Sequence, residues 1–317
     1  MTRRNDREPP IDTLNAPVRH AKSVAIVAIV FFTASRSFAQ PPADTASGNA
    51  VPGEEDEASA LWEFRLAAFG RYAPVYPGAD ESDLTVLPIP IPVYRGSFLS
   101  FGENLDQVAR GDIVDTRRIQ LGIDLDFTFG EDSADIAVRR GMPDLDFMFE
   151  VGPELEIKLD DREPEQGELF LALQLRAGVS LDGLDPSSRG FVYGPQLEYR
   201  RDQVFGGDNL LSLRFKPTWA SEKYMDYYYE VDPLFATFGR SAYDAESGYL
   251  GSKLTAALTR QINDKLVLGI SVSYWLHNGA ENDLSPLFRS DSGASIQAAL
   301  VWTLAESEKR ARLKPDR

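Results

Sequence analysis

From Ile119 to Phe129 every second residue is apolar (Ile119, Leu121, Ile123, Leu125, Phe127, Phe129), and those between are polar or glycine (Gln120, Gly122, Asp124, Asp126, Thr128). Period two makes two unlike faces on an extended chain. The run is also long: a tilted strand needs roughly 9–11 residues to cross a bilayer, whereas strands of soluble domains average about 5–6. The same zigzag returns at Leu169–Leu181 and Leu266–Leu276. Weaker versions lie at Trp62–Tyr72, Thr85–Tyr94, Phe98–Leu105, Phe147–Leu159, Phe191–Arg200, Leu211–Trp219, Leu250–Leu258 and Ile296–Leu304.

Charges decide which face meets what. Asp124, Asp126, Glu154, Glu156, Lys158, Arg176, Glu198, Arg200, Arg214, Lys216 and Lys253 all fall on the polar phase. A lysine or arginine facing lipid at mid-bilayer costs about 2–4 kcal/mol, so these side chains are expected inside a closed cylinder. Closure also removes strand edges, which hydrocarbon does not tolerate. The expected fold is all-β: a transmembrane antiparallel up-and-down barrel. Eleven segments can be read, and single-chain barrels have even numbers of strands. The expectation is therefore about twelve strands, with ten the alternative and Glu103–Arg117 the doubtful stretch. Ile262-Asn263-Asp264 is a tight periplasmic turn, while Glu131–Asp144 and Ala220–Gly248 are long outer loops. Trp62, Tyr72, Tyr76, Tyr94, Phe129, Trp219, Tyr274 and Trp302 are expected in the two interfacial girdles.

The rest of the chain suits export. Arg19, His20 and Lys22 precede the apolar run Val24–Phe32, and Ser37-Phe38-Ala39 offers small residues for cleavage before Gln40. Residues 1–39 read as a cleaved signal peptide, 40–59 as a disordered periplasmic leader, 60–304 as the barrel and 305–317 as a basic tail. Cysteine is absent, which excludes disulfides and thiolate metal sites. The net charge of −16 argues against a nucleic-acid partner, since phosphate binding needs a basic surface.

Little in the chain suggests catalysis. Beyond the signal, the single histidine is His277, before Asn278-Gly279; it reads as a polar turn residue, and one histidine is few for a catalytic zinc. Asp124/Asp126 and Glu154/Glu156 are about 7 Å apart along a strand face, which overlaps glycosidase spacing, yet any polar barrel wall generates such pairs. No catalytic residue, cofactor or metal is expected. Mixed signs inside the lumen favour a structural ion network over a selective channel.

Two motifs go beyond barrel pattern. Tyr76-Pro77-Gly78-Ala79-Asp80 leads into Val86-Leu87-Pro88-Ile89-Pro90, and Trp219-Ala-Ser-Glu-Lys-Tyr224-Met225 follows later. In this order they resemble the MltA-interacting protein (MipA/OmpV) family of Gram-negative outer membranes, over about residues 60–304. The resemblance implies a non-enzymatic barrel embedded in outer-membrane lipid. It also implies a scaffold joining a murein hydrolase to a murein synthase in peptidoglycan turnover, with small-solute porin or adhesin as the alternative. One departure is that Trp302-Thr-Leu304 is followed by thirteen further residues, where the family commonly ends on an aromatic.

Overall fold

The computed structural model describes residues 60–95, 100–104, 107–110, 114–116 and 118–309; the expected signal peptide, the leader to residue 59 and the end of the tail lie outside them. The strands are β1 (Trp62–Pro74), β2 (Ser82–Arg95), β3 (Ser100–Asn104), β4 (Gln107–Arg110), β5 (Val114–Asp115), β6 (Ile119–Thr128), β7 (Phe147–Lys158), β8 (Glu168–Asp182), β9 (Asp185–Asp202), β10 (Asn209–Ala220), β11 (Gly248–Asn263), β12 (Leu266–Leu276) and β13 (Ser292–Glu306). One α-helix, α1 (Glu222–Tyr229), lies between β10 and β11.

All pairings are antiparallel and join sequence neighbours, except that β1 also pairs with β13. The sheet runs from β4 through β1 and β13 round to β5. Its two ends are consecutive pieces of chain, and β4 also lies against β6, so the sheet curls back on itself. Ten strands are long, the lower of the two expected counts; β3, β4 and β5, in and beside the doubtful stretch, are pieces of five, four and two residues, shorter than the roughly 9–11 of a crossing. No helix among the described residues is long and apolar enough to cross a membrane.

Outward positions are apolar and exposed: Leu173 and Leu175 on β8, Leu213 and Phe215 on β10, Ile270 and Val272 on β12, Leu300 and Trp302 on β13. Such a surface needs lipid to cover it. Trp62, Tyr94 and Trp302 ring the end holding the chain termini, and Tyr72, Phe191, Tyr193 and Tyr274 ring the other. Two residues depart from the girdle expected of them. Tyr76 is buried among the loops, and Phe129 packs inside against Phe69, with ring centroids 6.2 Å apart. Phe127, also expected to face lipid, joins the inner apolar cluster of Phe69, Ile89, Ile91 and Val93. At the end of the sheet the wall folds inward, so an apolar phase finds a protein partner there instead of lipid.

On β2, Pro88, Pro90 and Pro92 share the outward phase. A proline lacks the N–H of a ladder bond and is tolerated at a strand edge. The pairing fits: β2 matches β1 from Ser82 to Tyr94, but meets β3 only at Tyr94 and Arg95. At the other end of the chain, β13 runs two residues past the expected Leu304. Ser307 N then donates to Trp62 O, and Leu61 N to Lys309 O, so the described start of the tail is bound to the wall.

Candidate functional site

The inner wall carries two electrostatic regions. The first spans β6 to β9 and centres on Arg176. Its Nη1 lies 2.6 Å from Asp124 Oδ2, its Nε 2.9 Å from Glu150 Oε2 and its Nη2 3.5 Å from Asp126 Oδ2. Gln174 beside it donates to Glu154. One turn of the wall away, Arg200 holds Glu156 at 2.6 Å and Glu198 at 2.9 Å, and its guanidinium sits 4.3 Å over the Phe170 ring. Ser212 donates to the other Glu198 oxygen at 2.6 Å. Lys158 meets Glu168 at 2.5 Å, at the periplasmic rim. The bonds run along the wall, within a strand or between strands one or two places apart, rather than across the interior. Strand spacing of about 4.8 Å explains this: a second neighbour is within reach of an arginine, the far wall is not.

The second region spans β10, β11 and β1. Lys216 and Lys253 stand directly opposite each other in the β10–β11 register, next to Arg214 opposite Thr255. Lys253 packs its ammonium 5.1 Å from the Trp275 ring centre. Arg214 acts electrostatically on Glu198, which links the two regions. Arg71 comes from β1. Acidic and basic residues of both regions line one cavity of about 440 Å³, which reaches from Lys158 and Glu168 at the periplasmic rim to Tyr224 and Tyr228.

Those tyrosines belong to a stopper. Four outer loops (75–81, 129–146, 221–247 and 277–291) converge on one buried cluster containing Tyr76, Ile136, Leu145 and the face Tyr224-Met225-Tyr227-Tyr228-Tyr229 of α1. Every tyrosine hydroxyl named next donates to a fixed acceptor. Tyr224 reaches Glu150 Oε1 of the wall at 2.7 Å, Tyr76 reaches Leu287 O at 2.6 Å and Tyr229 reaches Pro77 O at 2.9 Å. Burial pushes the hydroxyls of Tyr76, Tyr224, Tyr228 and Tyr229 well above their ordinary range, so they stay neutral. Arg139 Nη1 donates to Tyr228 O at 3.1 Å and Arg240 Nη1 to Val138 O at 2.7 Å, tying loop to loop. On the outer side of α1, burial and then the carboxylates of Glu230, Glu222 and Asp244 raise Asp226 to about 6.

Sequence motifs meet here. Gly78 adopts φ +78° against Phe288, where an added Cβ would lie 2.7 Å from the ring. Tyr76, Pro77, Gly78, Tyr224 and Met225 all build the stopper; Trp219 packs instead on its cross-strand partner Tyr249 of the β10–β11 wall, with ring centroids 5.5 Å apart. Asp80 lies on the surface, 3.7 Å from Arg289. Pro88 and Pro90 belong to the β2 wall instead. Glu150 and Arg71 escaped the sequence reading although their phases pointed to them: Glu150 keeps step with Glu154 and Glu156, and Arg71 with Arg65. Arg139, Arg240 and Tyr228 carry no periodic signal, because loops have none.

His277 is buried with its Nδ1 2.9 Å from Leu250 O, stacked on Trp275 and edge-on to Phe288. Burial lowers its pKa, so the ring is neutral and Nδ1 carries the donated proton. Its contacts are those of a packing residue. No cluster of metal-ligating side chains occurs among the described residues.

Known proteins resemble this chain in sequence and in structure. The family description "MltA-interacting protein MipA" matches residues 66–304. No curated protein sequence matches significantly. Among solved structures, a COG4313 outer membrane channel from Pseudomonas putida F1 is similar at TM-score 0.42 and 12% identity, covering 79% of this chain and 100% of its own. A NanC porin is similar at TM-score 0.36 and 9% identity, covering 75% and 100%. These likenesses are distant, and the assignment stands on the match that spans most of the sheet: the chain belongs to the MltA-interacting protein MipA family, and is an outer-membrane β-barrel protein.

Proposed function

We propose that this protein is a non-catalytic, stoppered barrel that serves as an outer-membrane scaffold, presenting its periplasmic rim to a murein hydrolase and a murein synthase. The family description supplies the hydrolase, since it names an interaction with MltA. The observation that favours scaffold over open pore is the stopper: Tyr224 bonds helix α1 to Glu150 of the wall, and four loops close over it. A lumen capped by these loops on its outer side leaves the periplasmic rim as the face that partners can use. The test immobilises the detergent-solubilised protein and offers it solubilised envelope proteins. Specific retention of a lytic transglycosylase, lost on competition with soluble protein, supports the scaffold; retention of neither a murein hydrolase nor a murein synthase sinks it.

A second reading, a gated small-solute channel, draws on the 440 Å³ cavity beneath the stopper. It requires conductance steps in planar bilayers, at least after the stopper is loosened. Their absence in both the native and loosened barrel removes this reading.

A further inference from the structure

Lys216 and Lys253 pose a physical problem that the rest of the lumen does not. They are direct cross-strand partners on the same inward face. Like charges in that relation repel and destabilise a sheet, and a wall backed by hydrocarbon strengthens the repulsion. Yet neither forms an ion pair among the described residues, while Arg176 has Asp124, Asp126 and Glu150 within 3.5 Å. Arg71 adds a third cation, also without an ion pair among the described residues; its charge and those of Lys216 and Arg214 act together on Lys253. Asp126 acts on Lys216, Lys253 and Arg71, and Asp124 and Glu150 act on Lys216 as well, but all three carboxylates are shared with Arg176.

A second, independent observation lies two residues along β10. Thr218 is 4% exposed, and its Oγ1 is buried with no hydrogen-bond partner. Buried hydroxyls are ordinarily bonded, so an orphan marks something missing. Thr218 occupies the same phase as Lys216, about 7 Å away along the strand. Both line the cavity, together with Thr255, Ser271, Ser273 and Gln297.

We propose that Lys216, Lys253 and Arg71 form a binding subsite for a small hydroxylated oxyanion, a carboxylate or a phosphate, entering from the periplasmic side. The anion sits between the two lysines and cancels their repulsion. Its hydroxyls find Thr218 and the serine-rich floor of β12. Arg71 closes on it from β1. The proposal is independent of whether the barrel also scaffolds murein enzymes, because it concerns the lumen and not the rim.

The test uses the full processed protein in detergent micelles, titrated calorimetrically with gluconate and, separately, with inorganic phosphate at constant ionic strength. Saturable binding of either probe is expected, and the tighter of the two identifies the headgroup. Lys253→Met should weaken it about tenfold or more, and the Lys216→Met/Lys253→Met double variant should remove it. Arg201→Gln, exposed at the β9 end, serves as control and should bind as the native protein does. A thermal readout keeps the idea falsifiable should a variant fold poorly. Without probe, Lys216→Met should melt higher than the native barrel. Gluconate should raise the native melting temperature where sorbitol, its uncharged counterpart, does not. No saturable binding of either probe to the native protein overturns the proposal, as does a folded double variant that binds undiminished.

Discussion

Tyr224 and Arg176 meet on opposite oxygens of one carboxylate: the Tyr224 hydroxyl donates to Glu150 Oε1 at 2.7 Å, and Arg176 Nε to Glu150 Oε2 at 2.9 Å. Glu150 is thus the joint between the stopper and the ion network of the wall. Removing the hydroxyl leaves a buried carboxylate oxygen without its donor, which costs about 1–3 kcal/mol. Tyr224→Phe should therefore loosen α1 while leaving the sheet intact. Faster proteolysis within residues 221–247, with unchanged heat-modified mobility of the barrel, is the expected result; unchanged proteolysis would count against the joint.

Arg176 serves three carboxylates, and two of them, Asp124 and Glu150, are largely buried. Removing one partner from a buried ion pair costs about 3–5 kcal/mol, because the charge left behind has neither water nor counterion. Arg176→Met should destabilise the barrel by about that amount in urea unfolding from micelles. Adding Asp124→Asn to the same chain should recover part of the loss. A single variant as stable as the native protein would show that water reaches the network freely.

Asp226 makes the stopper sensitive to pH. Its folded pKa of about 6 lies above the ordinary 3.8, so its ionised form is the less stable one in the folded loop. The stabilising contribution is fully present below about 3.8 and is lost as pH rises through about 6. Amides of α1 should exchange more slowly, after correction for intrinsic rates, at pH 4.5 than at pH 7. Asp226→Asn should hold the slow behaviour at pH 7 and flatten the profile, and a native profile that is already flat would contradict this.

Two glycines of the outer loops separate backbone strain from crowding. Gly78 and Gly141 both have left-handed φ, +78° and +80°, but an added Cβ meets Phe288 at the first and open space at the second. Gly141→Ala carries the backbone cost alone, of order 1 kcal/mol. Gly78→Ala should cost more, about 1–3 kcal/mol in all, since Phe288 must also move. Thermal melting of the two variants side by side checks the order.

The sequence revealed what periodicity can carry. Asp124, Arg176, Lys216 and Lys253 share the polar phase of their strands, and all four line the cavity. Phe127 and Phe129 misled: alternation says that two faces differ, not that the apolar one meets lipid. The stopper was legible only as motif residues, Tyr76 and Tyr224 among them, because contacts between loops 75–81 and 221–247 depend on tertiary geometry that no local pattern encodes. The repulsive pair Lys216 and Lys253 needed the strand register, since both positions read as ordinary lumen charges until they were seen to face each other.

Wherever neighbouring strands are joined by a short connection, the chain itself brings them together; between β1 and β13 nothing does. Trp62 and Ser307 stand 245 positions apart, and still their backbones and the Ser307 hydroxyl are bonded. Closing so large a loop is the slow, entropically costly event in building such a cylinder. The extra ladder beyond Leu304 acts as a latch on that join: it lengthens the final zipper where the ring has to be completed, and holds shut the seam along which the folded wall could unroll.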